Sequence, residues 1–162
     1  MIFGLHHAAI STPNLKRALD FYCGLLGFEK VYEFSWQKSG KPNVTLETDD
    51  TAGRAVVLKS GHGFLELFEF DYPTPKAADP HRPVIDHGIT HLCLQVRNLP
   101  LEYERLSKAG MRFHSEPQGQ EIGSLYVYGR DPDGNVVELM EVNHPDHFPT
   151  TYDSFEPVEE TS

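Results

Sequence analysis

Leu5-His6-His7-Ala8-Ala9-Ile10 and Thr90-His91-Leu92-Cys93-Leu94 read as two copies of one strand, each setting a histidine at the head of an apolar alternation. Phe64-Leu65-Glu66-Leu67-Phe68 and Val136-Val137-Glu138-Leu139-Met140 read as two copies of another, each with a glutamate at its centre. With His7 laid over His91, Asn14-Leu15 falls on Asn98-Leu99, and Gly27 on Gly110 after a one-residue deletion. Agreement in both residues and element order marks a duplicated unit.

Each half then reads strand, helix, strand, strand, strand. The first strands are Leu5–Ile10 and Ile89–Val96. The first helix follows Ser11-Thr12-Pro13-Asn14, where a hydroxyl cap and a proline signal a start. Leu15, Ala18, Leu19, Tyr22, Leu25 and Leu26 recur at helical spacing, and Gly27 ends the run. The second helix starts near Asn98-Leu99-Pro100 and stops at Gly110. Remaining strands are Phe28–Trp36, Arg54–Lys59 and Gly63–Phe70, then Met111–Ser115, Leu125–Arg130 and Asn135–Val142. Asp131-Pro132-Asp133-Gly134 is a hairpin turn, with φ fixed by Pro and a positive φ open to Gly. The expected class is α+β, two tandem βαβββ modules over 1–75 and 76–145. Asp71–Gly88, rich in Pro, Asp and His, links them, and 146–162 forms an acidic, flexible tail.

Alternate strand residues face opposite sides. Opposite His7 and Glu66 lie Ala8, Ile10, Leu65 and Leu67; opposite His91 and Glu138 lie Leu92, Leu94, Val137 and Leu139. The apolar sides should pack on the helices, leaving the His/Glu sides to line something else. Four ionisable groups on one dry face are costly unless a cation joins them. His7, Glu66, His91 and Glu138 are therefore the candidate metal ligands. Two imidazoles and two carboxylates suit an open divalent site, with Ni, Co, Zn, Mn and Fe(II) all admissible. His6 is expected to face away from His7. His62, His81, His87, His114, His144 and His147 fall in turns, polar stretches or outside the repeat, and Pro145 keeps Asn143-His144-Pro145-Asp146-His147 from aligning its histidines on a helix.

A net charge of −10 over 162 residues argues against nucleic acid or an anionic membrane as partner. No apolar run approaches the ~18 residues of a membrane span, and no leader pattern opens the chain, so a cytoplasmic setting is expected. Cys23 and Cys93, without a motif around them, read as free buried thiols.

The chain resembles the vicinal oxygen chelate superfamily, which includes glyoxalase I, methylmalonyl-CoA epimerase, extradiol dioxygenases and the fosfomycin and bleomycin resistance proteins. The resemblance spans about residues 3–142. It is carried by Leu5-His6-His7-Ala8-Ala9-Ile10, Leu19-Asp20-Phe21-Tyr22 leading to Leu25-Leu26-Gly27-Phe28, Leu65-Glu66-Leu67, Gly88-Ile89-Thr90-His91, and Asp131 through Leu139. It implies a U-shaped metal-binding cleft built from the two modules, and a homodimer, with ligands drawn from one chain or two. The His/Glu/His/Glu set is most similar to metal-dependent glyoxalase I. Its glutathione-contacting Arg and Asn positions find no match here, and Gln37–Gly53 is longer than its counterpart, suiting a lid or an inert insertion.

On that resemblance the chain is a lyase or isomerase for a small oxygenated substrate, moving a proton beside a chelated carbonyl through an enediolate. Glu138 would be the fixed ligand and Glu66 the ligand that doubles as base, these two being the catalytic candidates. Cys93, Gln95, Phe64, Phe68 and Met140 share the His/Glu faces. Two alternatives stand: an Fe(II) or Mn(II) dioxygenase using the same open positions, and a non-catalytic binder that sequesters a small molecule.

Overall fold

The computed structural model describes residues 1–2, 4–61 and 63–143. His62, the histidines of the 143–147 tract and the tail 146–162 lie outside the described residues. The chain divides into two compact units. Among the described residues, the first holds Met1–Arg82 with Asp131–Gly134, and the second Pro83–Arg130 with 135–143.

The first unit runs β1 (His7–Ser11), α1 (Leu15–Leu19), a π-helical stretch (Asp20–Leu25), β2 (Glu29–Trp36), β3 (Ala52–Ser60) and β4 (Gly63–Tyr72). Its sheet has the order β1-β4-β3-β2, with β1 parallel to β4 and the other pairs antiparallel. The second unit runs β5 (Leu92–Gln95), α2 (Leu99–Lys108), β6 (Arg112–Phe113), a 3-10 turn (Gln120–Ile122), β7 (Ser124–Arg130) and β8 (Val136–Val142). Its sheet has the corresponding order β5-β8-β7-β6, again with one parallel pair. The fold is thus α+β, the same four-stranded mixed sheet made twice. Among the described residues no helix is long and apolar enough to cross a membrane.

The helix starts are built alike. Asn14 Oδ1 accepts from Arg17 N at 3.0 Å, and Asn98 Oδ1 from Leu101 N at 3.3 Å. The cap of α1 is therefore Asn14 rather than the hydroxyl expected from Thr12, whose Oγ1 instead accepts from Asn14 N at 3.2 Å. A carboxylate on the last strand of each unit adds to the cap. Leu15 N donates to Glu69 Oε1 at 3.0 Å, while Asn98 N and Leu99 N donate to Glu141 Oε1 and Oε2 at 2.9 and 2.8 Å. These bonds satisfy N–H groups that a helix start leaves without intrahelical partners.

The strand alternation fixes the core. Leu65 and Leu67 on β4, with Val56 and Leu58 on β3, are buried on the side that carries Leu15, Ala18 and Tyr22. Val137 and Leu139 on β8 are buried as Leu99 and Leu106 of α2 are. Burying each such side chain stabilises the unit by about 1.5–3 kcal/mol. In the turn Asp131–Gly134, Gly134 N donates to Asp131 O at 3.1 Å. Gly134 has φ +92°, and a Cβ there would stand 2.3 Å from Pro80 O, so both backbone and space require glycine. Tyr22 OH donates to Asp131 Oδ2 at 2.9 Å within the first unit. The thiol expectation is corrected: both cysteines are free, but Cys93 is exposed and Cys23 only half-buried. Cys93 lies on the side of β5 opposite the helix-packed residues of its sheet.

Candidate metal centre

Register sets each His/Glu pair. Parallel pairing puts Ala9 beside Glu66 on the first sheet and Cys93 beside Glu138 on the second. The histidine two residues earlier, on the same face, then reaches its glutamate. His7 Nε2 lies 3.4 Å from Glu66 Oε2, and His91 Nε2 lies 2.9 Å from Glu138 Oε2. The two pairs form in the two units separately; among the described residues no three of His, Cys, Asp and Glu gather as a metal cluster.

The other ring nitrogen is held as well. His91 Nδ1 is hydrogen-bonded to Thr90 Oγ1 at 2.9 Å, and His7 Nδ1 to His6 Nδ1 at 2.9 Å. His6 therefore does not turn away from His7 as strand alternation suggested. It precedes β1, is free of the pleat, and stacks on Phe64 with ring centroids 5.1 Å apart. Fixing Nδ1 fixes the ring and leaves Nε2 aimed at the carboxylate. Sequence reasoning missed His6 and Thr90 as supports. Their equivalence under the repeat was the available signal.

The two glutamates differ in access. The Glu66 side chain is 14% exposed and that of Glu138 is 6% exposed. Cys93 and Tyr128 flank Glu138 in register. Although Cys93 is exposed as a residue, loss of water around its sulfur, then the Glu138 carboxylate that it hydrogen-bonds, push the thiol up to about 12. The Tyr128 phenol is also raised, first by desolvation and then by Glu138. Its ring lies 5.1 Å from that of His91. On the edge strand's side, desolvation first, then Arg130 and Arg112, hold His114 below the ordinary histidine value.

Each pair by itself offers one imidazole and one carboxylate, donor types that divalent ions take. Both imidazoles present Nε2, both carboxylates stand at hydrogen-bond or near hydrogen-bond range of them, and each carboxylate is mostly withdrawn from water. Paired βαβββ modules, each bearing a His/Glu pair at one place in its sheet, define the class as a duplicated-module α+β fold. The chain belongs to the Glyoxalase/Bleomycin resistance protein/Dioxygenase superfamily, whose family model matches residues 4–139. It is 30% identical over 144 residues to a 2-epi-5-epi-valiolone epimerase of Actinomyces sp, covering 84% of this chain and 78% of that one. It is 26% identical over 150 residues to a lactoylglutathione lyase of Pseudomonas putida, covering 86% and 85%. Among solved structures it is similar to a glyoxalase family protein from Bacillus cereus, with TM-score 0.76 at 20% identity, covering 87% of this chain and 95% of that one.

Proposed function

We propose that the protein is a metal-dependent lyase or isomerase that moves a proton on a carbon next to a carbonyl of a small oxygenated substrate. The observation that carries this reading is the repeated unit of a held imidazole and a withdrawn carboxylate, His7 with Glu66 and His91 with Glu138. Relatives named as an epimerase and as a lyase support it. In this reading the four side chains are the protein ligands of one divalent ion, Ni, Zn, Co, Mn or Fe(II). The bound ion supplies Lewis acidity at a chelated carbonyl.

The residues divide the remaining work. His7 and His91 hold the geometry through Nε2, kept in place by His6 and Thr90. Glu138, the more enclosed carboxylate, stays a ligand. Glu66, the more accessible one, takes the proton from the substrate carbon and returns it. The working unit is a homodimer in this proposal. Leu5 and Ile89, each two residues before a ligand histidine, are 92% and 80% exposed, apolar surface of the kind that an interface covers.

The test has two readouts. Protein loaded with each divalent ion in turn, then desalted, should retain one per chain, and His91→Ala should not. Hydroxyacetone incubated with loaded protein in deuterium oxide should gain deuterium by NMR, and Glu66→Gln should keep the metal while losing the exchange. Equal exchange after chelator treatment would overturn the proposal.

A further inference from the structure

On the sheet face that carries His7 and Glu66, five aromatic rings follow one another without a break. Antiparallel register places Tyr32, Val57 and Glu66 in one row, Phe34, Ala55 and Phe68 in the next, and Trp36, Gly53 and Phe70 in the third. Ring centroids run 5.7 Å from Tyr32 to Phe34, 5.9 Å to Trp36, then 6.2 Å to Phe68 and 5.7 Å to Phe70. Phe68 and Phe70 stack at 5.6 Å. The rings from β2 and β4 meet because β3 presents only Gly53, Ala55 and Val57 between them on this face. A Cβ on Gly53 would stand 3.0 Å from Trp36 Cζ2, so the indole leans across the space that glycine leaves.

The shelf is held from behind by the long β2–β3 connection. Trp36 Nε1 donates to Thr51 Oγ1 at 3.0 Å, and Asn43 Nδ2 donates to the same oxygen at 2.9 Å. Thr51 is buried, and its backbone N–H donates to Asp50 Oδ1 at 2.9 Å. Asp50 also accepts from Ser39 N and Gly40 N at 3.0 and 2.6 Å, closing the connection on itself. The extra length therefore positions Trp36. At the other end the shelf is open, with Tyr32 62% exposed and Phe34 also exposed.

Resting on the proposed metal reading, we infer that this aromatic shelf seats the ring of a ring-bearing substrate whose chelating oxygens are presented to the Glu66 end. Aromatic rings pair with other rings offset or edge-to-face, and the Phe34/Phe68 and Trp36/Phe70 rows lie directly next along the sheet from the row that holds Glu66. The shelf sets specificity for the body of the substrate, as the His/Glu pairs do for its head.

Mandelate, hexahydromandelate and lactate share one α-hydroxy acid head and differ in the ring. Trp36 is the single tryptophan of the chain, so its emission reports the shelf directly. Titration of full-length protein, with and without divalent metal, should show the two ring compounds changing Trp36 emission and binding about tenfold more tightly than lactate. Phe68→Leu, which keeps the apolar volume, and Phe68→Ala should each narrow that ratio by weakening the two ring compounds. Equal affinity for all three acids, or a ratio indifferent to both variants, would overturn the inference. So would conversion of dimer to monomer by Tyr32→Ser with ring preference intact, since the shelf would then be an interface between copies. Metal retention, measured separately, shows whether a failure belongs to the shelf or to the metal reading: a ring preference in metal-free protein stands without the ion.

Discussion

Thr90 Oγ1 stands 2.9 Å from His91 Nδ1, so the residue just before the candidate ligand holds the far side of its ring. The same role falls to His6 beside His7, at the same distance, although the residue type differs. When Nε2 binds a metal, Nδ1 must carry the proton, and Thr90 Oγ1 then accepts from it. Loss of such a support typically weakens metal binding by about 10–100-fold. Thr90→Val keeps the shape and removes the acceptor. Calorimetric titration with Zn or Ni should show that loss, with the thermal midpoint of metal-free protein little changed. Unaltered affinity would detach Thr90 from the site.

Glu141 takes both N–H groups at the start of α2, and Glu69 takes one at the start of α1 while also pairing with Arg54 Nε at 2.6 Å. Carboxylate at a helix N-terminus combines hydrogen bonds with a favourable dipole. Glu141→Ala should destabilise the protein by about 1–2 kcal/mol. Glu141→Gln, which retains an acceptor and loses the charge, should cost roughly half as much. Urea unfolding reads both as a lower midpoint at constant slope. An unchanged midpoint for the alanine variant would show that water replaces the cap without cost.

Legibility in the sequence followed from periodicity. The period-2 alternation around Glu66 and Glu138 showed which sides are buried, and Leu65, Leu67, Val137 and Leu139 are buried accordingly. The repeat showed that both modules share one element order. What escaped was geometry set outside regular strands. Met111–Ser115 shrinks to Arg112–Phe113, because a short edge strand has one partner to define it. His91 itself lies just before β5, so its contacts with Thr90 and Glu138 complete an orientation that the strand face only begins. The aromatic shelf was only half visible. Phe64 and Phe68 were placed on the Glu66 face, but bringing Trp36 to them requires the β2–β3–β4 register and the gap at Gly53.

Tyr22 and Asp131 give an alkaline signature. Burial first, and then the Asp131 carboxylate that accepts from its hydroxyl, hold the Tyr22 phenol well above the ordinary value near 10. A group whose pKa is raised on folding stabilises fully below its unfolded value, and that contribution is lost as pH rises toward the folded one. Above pH about 10 the unfolded chain releases this proton while the folded chain retains it. Stability should then fall by about 1.4 kcal/mol per pH unit from this residue alone. Tyr22→Phe removes the titrating group. Near neutrality the variant should be less stable by about 1 kcal/mol, the net worth of the lost hydrogen bond. As pH rises past 10 the gap should close and then reverse, because only wild type carries the penalty. Denaturant midpoints of both proteins from pH 7 to about 11 decide it. Parallel curves across that range would mean that Tyr22 ionises in the folded protein as readily as in the unfolded chain.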